Sequence, residues 1–522
     1  MTRGECSDLW TWVESRAAAT PREPFAFDEH DRHIDFAAFR DWGERVAAGL
    51  IQSGLSPGDR VAWMLPTRIE TLVLTIALAR LGCEQVPLIP VYGCREVRFI
   101  LEESQPQWAI VPGQWKDTDY VELFHDALRE SKDPPRLILA APDLPEADPS
   151  LLSSLPRPVA LPARRDATPA RAAPWIFYTS GTTSQPKGAI HSDATLFASA
   201  IGLERPHDFR ASDRVSLVFP YAHIGGPILL MSALRVGHAL ILCETFAPEV
   251  VIDTLSRNGV TFAGPGPAFW QAYLRAQREA GGRRIFPELR ALIGGGAAKP
   301  AHLHVEAHEL LSVPIVSGYG LTECPSLAYN RLDDPDEVLA TDGRAVEGVE
   351  IRIVDGKGIQ APVDRIGEIC VRGPMLFHGY LDSKLDIGAF HLDGFLRTGD
   401  LGCLDEQGSL RVTGRLKDVI IRKGESLSAK EIEEVLASHP EVEDVTVIGL
   451  PDDDRGERCC AVIVCRDPFD PPNLADLVRH CSELGLMKQK HPEQLEILET
   501  LPRNSTGKIL KAELRARFGT SP

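Results

Sequence analysis

Positive charge is scarce in this chain. Over 522 residues, 56 Lys and Arg face 74 Asp and Glu, a formal net charge of −18. Nucleic-acid binders neutralise phosphates with Lys and Arg, so that class is excluded as the main activity. A small anionic ligand is not excluded, because a local nest of backbone N–H groups holds phosphate even in an acidic protein. Long apolar runs are also missing. The greasiest stretch, 72–79, is cut by Arg80 and is too short to cross a bilayer. Residues 1–18 carry Arg3, Glu5, Asp8, Glu14 and Arg16 and lack the apolar core of a signal peptide. The eleven cysteines follow no repeated spacing, and an odd, scattered set fits reduced thiols better than a disulfide framework. A soluble, cytoplasmic protein is expected.

What is present is an ordinary globular balance, with 43% apolar and 25% charged residues. The length implies about three to four domain-sized units. Short apolar runs at 60–65, 175–178 and 214–219 alternate with helical patterns at 69–81 and 248–258, which predicts α/β layers with parallel sheet. Residues 133–174, rich in Pro and Ala, read as an exposed connection into a strand. After about residue 410 the pattern changes. Ser428-Ala-Lys-Glu431 has the spacing of a capping box, and Ile432, Val435 and Leu436 follow on one helical face. Runs at 445–450 and 461–465 read as strands. A small C-terminal α+β domain of ~100 residues is expected.

The most informative segment is Tyr178-Thr-Ser-Gly-Thr-Thr-Ser-Gln-Pro-Lys-Gly188. Thr179, Ser180, Thr182 and Thr183 surround Gly181, and Lys187 closes the loop. Glycine lets backbone approach a ligand, hydroxyl and N–H groups donate to phosphate oxygens, and lysine adds a point charge. It is not the Walker pattern, because Gly188 follows the lysine. The loop resembles the signature of the adenylate-forming superfamily, which includes acyl- and aryl-CoA synthetases, peptide-synthetase adenylation domains and firefly luciferase. Ser184 departs from it, standing where the family usually has glycine.

The resemblance continues in order through residue 511 and implies roles by position. Tyr319 and Gly318 would lie at adenine, with Gly296, Ala297 and Ala298 lining its pocket. Thr322 would meet the α-phosphate and Glu323 would hold Mg²⁺, a hard cation suited to oxygen ligands. Asp400 would take the ribose hydroxyls and Arg415 the ribose and phosphates. Lys417 would be the hinge between a large domain, 1–416, and a mobile lid, 417–522. Lys508 would bridge the carboxylate and the α-phosphate. Gly424 and Glu425 would face CoA.

Pro220-Tyr-Ala-His223-Ile-Gly-Gly226 matches the mouth of the acyl pocket, implying His223, Ile224, Gly225 and Gly226 there. The stretch carries no carboxylate to pair an amino-acid ammonium, and Gly225 and Gly226 are expected to leave room for a ring or chain. The expected function is ATP-dependent, AMP-forming ligation of a medium-chain, alicyclic (cyclohexanecarboxylate-type) or aromatic acid to CoA. Two alternatives are an acyl-AMP ligase serving a carrier protein and a non-catalytic nucleotide-binding protein. A homodimer stays open. Arg455 and Arg458 are weak candidates for the CoA 3′-phosphate. His302, His304 and His308 read as a polar helix face, and Cys459, Cys460 and Cys465 as a buried strand.

Overall fold

A computed structural model describes residues 8–140, 143–153, 155, 175–179, 186–244, 247–296, 299, 301–423, 425–452, 454–503 and 509–519. It has the mixed α/β architecture that the strand–helix alternation predicts. The described residues fall into two compact units, one within 8–179, 186–349 and 372–388, the other within 350–371 and 389–519.

The first unit holds two large sheets. In the six-stranded sheet the order is Lys187–His191, Trp175–Thr179, Glu84–Pro87, Arg60–Trp63, Trp108–Val111, Arg136–Leu139. All its pairs are parallel except the first. The strand Trp108–Val111 is buried at every position, as expected where helices cover both faces of a parallel sheet. The greasy stretch found in the sequence becomes the helix Ile69–Arg80, buried nearly all round within the main core. Among the described residues no helix is long and apolar enough to cross a membrane. The 133–174 segment is more than an exposed connection. Arg136–Leu139 is an edge strand, and Leu144 and Leu152 enter the core.

The nine-stranded sheet runs parallel from Pro24–Asp28 through Ala239–Leu242, Arg214–Leu217, Phe262–Ala263 and Ala291–Gly295 to Ile315–Leu321, with antiparallel edges. Parallel strands end at one edge, where ligand crevices of open α/β sheets lie. Residues 220–226, Gly296 and Tyr319–Glu323 all follow or end such strands.

The second unit holds a four-stranded sheet, Glu350–Val354, Gly367–Arg372, Leu396–Leu404 and Leu410–Arg415, and a five-stranded one made from Val419–Arg422, Glu425–Ser428, Val442–Asp452, Gly456–Cys465 and Gln494–Ile497. Cys459 and Cys460 point into different apolar clusters on the two faces of their strand. The capping box is only half made. Ser428 caps Glu431 N at 3.3 Å, but the Glu431 carboxylate pairs with Lys490 at 2.6 Å.

Candidate active site

Thr322 and Glu323 form the two-residue turn of a hairpin, with Leu321 opposite Cys324. Gly318 lies beside Gly295, so close that a Cβ on Gly295 would sit 2.6 Å from the Gly318 carbonyl. That contact explains glycine there: two backbones touch with no side chain between. Three neighbours hold the turn. His191 Nε2 donates to the Thr322 carbonyl at 2.8 Å, while His191 Nδ1 lies 2.9 Å from Thr195 Oγ1. Phe377 N donates to the Glu323 carbonyl at 2.8 Å. The Tyr380 hydroxyl donates to Glu323 Oε1 at 2.6 Å. The sequence reading missed all three of these neighbours, which lie 54 to 131 residues away along the chain from their partners.

Thr179 and Lys187 face each other at the ends of the antiparallel pair flanking the hydroxyl-rich loop. Among the described residues, Lys187 makes no ion pair. Its ammonium lies 5.2 Å over the Tyr380 ring. An unneutralised lysine beside a carboxylate-bearing turn suits a polyanion accompanied by a hard cation. The donor chemistry of Glu323 fits Mg²⁺, since only one of its carboxylate oxygens is occupied by a described residue.

A second network supports the Gly318–Tyr319 segment. Buried Asn330 accepts from Ser317 N and Oγ and from Lys299 Nζ, at 3.4, 3.1 and 3.3 Å, and donates to the Val338 carbonyl at 2.9 Å. Burial pushes the Lys299 ammonium down to about 8. Asn330→Ala takes from Ser317 Oγ its acceptor and from the ammonium one of three, the Ile315 and Leu339 carbonyls remaining, so a loss of about 2 kcal/mol in denaturant unfolding is expected.

His223 follows the strand Arg214–Leu217. Its segment is pinned by Thr67, whose hydroxyl donates to the Phe219 carbonyl and accepts from Tyr221 N. The His223 ring meets Phe219 edge-on at 6.1 Å, and Gly225 N donates to its Nδ1 at 3.2 Å. Burial pushes His223 down to about 4, so it is a neutral aromatic group at neutral pH. The two glycines do not leave open space. A Cβ on Gly226 would lie 2.1 Å from the Tyr221 carbonyl, and one on Gly225 would lie 3.3 Å from the Phe219 ring. They permit close packing at the start of the helix Gly225–Val236, and Ile224 sits in the main core.

Burial also pushes His191, His207 and His238 down, to about 3, 4 and 4. With His223 these four titrate near ~6.5 when unfolded. The unfolded chain then binds more protons between about pH 4 and 6.5, and stability falls as pH drops through that window. Asp193, pushed up to about 6 by burial, acts in the opposite sense. At pH 5 these five groups are expected to take up about three net protons on unfolding. Calorimetry in buffers of different ionisation enthalpy measures this uptake.

In the second unit Asp400 and Arg415 face each other across two antiparallel strands, Nε to Oδ1 at 3.1 Å. Lys417 lies in the short 3-10 turn Leu416–Asp418, where Asp418 pairs with Arg515 at 2.9 Å. Ser180, Gly181, Thr182, Thr183, Ala297, Ala298, Gly424, Lys508 and the Glu425 side chain lie outside the described residues. Arg455 is engaged by Asp452 and Glu493, and Arg458 by Gln494. His304 is not on a solvated helix face. It is buried, bonded to Ile315 N and paired with Asp336. Two other groups have ligand-like donors, Glu368–Cys370–His391 and Glu29–His30–Glu244. In each, an arginine already holds a carboxylate: Arg397 on Glu368 and Arg68 on Glu244.

Residues 13–381 match the family described as AMP-binding enzyme, and residues 431–508 match the AMP-binding enzyme C-terminal domain. The chain belongs to the AMP-binding enzyme family. It is 30% identical over 521 residues to a medium-chain fatty-acid–CoA ligase of Escherichia coli (strain K12), covering 98% of this chain and 89% of that one. It is 30% identical over 513 residues to an indoleacetate–CoA ligase of Aromatoleum aromaticum, covering 97% and 98%. The crystal structure of ATP-bound MatB from Rhodopseudomonas palustris superposes with a TM-score of 0.85 at 27% identity, covering 98% of this chain and 99% of that one. The family member described here is an enzyme, an AMP-forming acid–thiol ligase of the acyl-CoA ligase branch.

Proposed function

We propose that this ligase activates a medium-chain, alicyclic or aromatic carboxylic acid with ATP and Mg²⁺, and passes the acyl group to CoA. The acid class is supported by the segment assigned to the pocket mouth: a neutral, half-buried His223 against Phe219, leading into a helix whose residues 226–234 are buried and bear no charge. Such a wall reads a substrate by shape, and nothing in residues 219–230 would pair with an ammonium. The names of the medium-chain and indoleacetate relatives agree with this class.

A carboxylate is a poor electrophile, so it first attacks the α-phosphate of ATP, giving acyl-adenylate and pyrophosphate. AMP then leaves when the thiol attacks. The first step brings an anion to a polyanion and needs positive charge aimed at the developing negative charge. Lys187 and Lys508 supply it. Glu323 would hold Mg²⁺, which neutralises phosphate oxygens when bound. Thr322 bears on the α-phosphate, its backbone fixed by neutral His191. Gly296, Ala297, Ala298, Gly318 and Tyr319 take the adenine, and Asp400 and Arg415 the ribose. Thr179, Ser180, Gly181, Thr182 and Thr183 surround the phosphates, and Gly424 and Glu425 meet CoA.

ATP–pyrophosphate exchange across a panel of carboxylic acids, with and without CoA, tests the reading. Exchange with aromatic or C6–C10 acids and CoA-dependent thioester formation are expected. Exchange that yields thioester only with a carrier protein would overturn the acceptor. Exchange confined to amino acids or short dicarboxylates would overturn the acid class.

A further inference from the structure

We propose that Tyr380 is the positioning residue that presets the Glu323 carboxylate for its divalent cation; this rests on the metal role given to Glu323 above. Glu323 sits on a two-residue turn, half exposed, where a glutamate side chain would otherwise sample several rotamers. Tyr380 removes that freedom. Its hydroxyl donates to Oε1 at 2.6 Å and leaves Oε2 unoccupied by any described residue.

Tyr380 is itself tightly held and only 8% exposed. Its N–H donates to Asp386 Oδ1 at 2.9 Å, and it forms an antiparallel bridge with Ala189. The Phe377 ring meets it edge-on at 4.9 Å, and Phe377 N holds the Glu323 carbonyl. The Lys187 ammonium lies 5.2 Å over the Tyr380 ring. One rigid phenol thus touches both charged groups assigned to the phosphates and their metal.

Tyr380→Phe keeps the ring, its packing and the Lys187 contact while deleting the hydroxyl. The Mg²⁺ concentration for half-maximal exchange is expected to rise about tenfold, as for loss of one hydrogen bond to a charged group. Saturating Mg²⁺ should restore the wild-type rate, with the ATP KM and melting temperature unchanged. A purely structural defect would not be rescued by metal. Mn²⁺ binding in the presence of ATP, read from the free-ion EPR signal, should weaken by the same factor. Wild-type metal dependence in Y380F, or a rate loss that saturating Mg²⁺ does not restore, would overturn the assignment of Tyr380. A wild-type protein with no exchange on any acid would instead overturn the function on which the assignment rests.

Discussion

Replacing Lys508 by alanine is expected to cut acid-dependent ATP–pyrophosphate exchange by about 10²–10³-fold, the scale for losing one group aimed at charge that develops in the transition state. The acid and the α-phosphate are both anionic, and repulsion rises as they meet. Lys187 and the metal proposed for Glu323 remain in the variant, so the loss is large without being total. The second half-reaction has different needs. When acyl-adenylate is supplied ready-made, the thiol attacks a carbonyl and AMP departs with its charge already formed. Thioester production from added acyl-adenylate and CoA should therefore stay within a few-fold of wild type. Equal loss in both half-reactions would show that Lys508 supports the protein and not the first step. A melting temperature matching wild type is the expected control for intact folding.

The broad architecture was legible because its signals are local. Apolar runs marked the parallel strands, and Arg60–Trp63 and Trp175–Thr179 are each buried at all but one position. The site was legible where one segment carries its own chemistry. Thr322 and Glu323 form the turn where the last parallel strand folds back into an antiparallel hairpin, and Asp400 meets Arg415 because the strands pair in that register. What stayed hidden depends on long-range pairing. His191, Tyr380 and Asn330 look like ordinary core or turn residues until the fold sets them beside Thr322, Glu323 and Ser317. Gly225 and Gly226 misled for the same reason. A glycine pair reads as space in one dimension, but here the absent Cβ atoms are replaced by a carbonyl and a ring. Edge strands such as Arg136–Leu139 were lost because half-exposed positions weaken the apolar run that announces a strand.

Lys417→Pro is expected to separate the two half-reactions in the opposite direction. Pyrophosphate exchange should remain within about twofold, while thioester formation falls about 100-fold, the equivalent of about 3 kcal/mol for forcing proline where the backbone must turn. The residue lies in a three-residue turn between two sheets of the second unit, with Arg415 on one side paired to Asp400 and Asp418 on the other paired to Arg515. Two side chains also bond across that turn. Ser428 Oγ donates to the Thr413 carbonyl at 2.7 Å, and Lys430 Nζ donates to the Val412 carbonyl. Hydrogen bonds of this kind contribute about 0.5–1.5 kcal/mol each. Their sum is small enough for bound nucleotide and thiol to favour different settings of the turn, as population shift requires. Proline fixes φ near ~−65° and removes an N–H, so one setting is retained and the other is denied. Stopped-flow release of pyrophosphate and of AMP, followed separately, reads the two steps. Should both slow together, the turn at Lys417 would be a rigid part of the nucleotide site, and the hinge role proposed for it would fail.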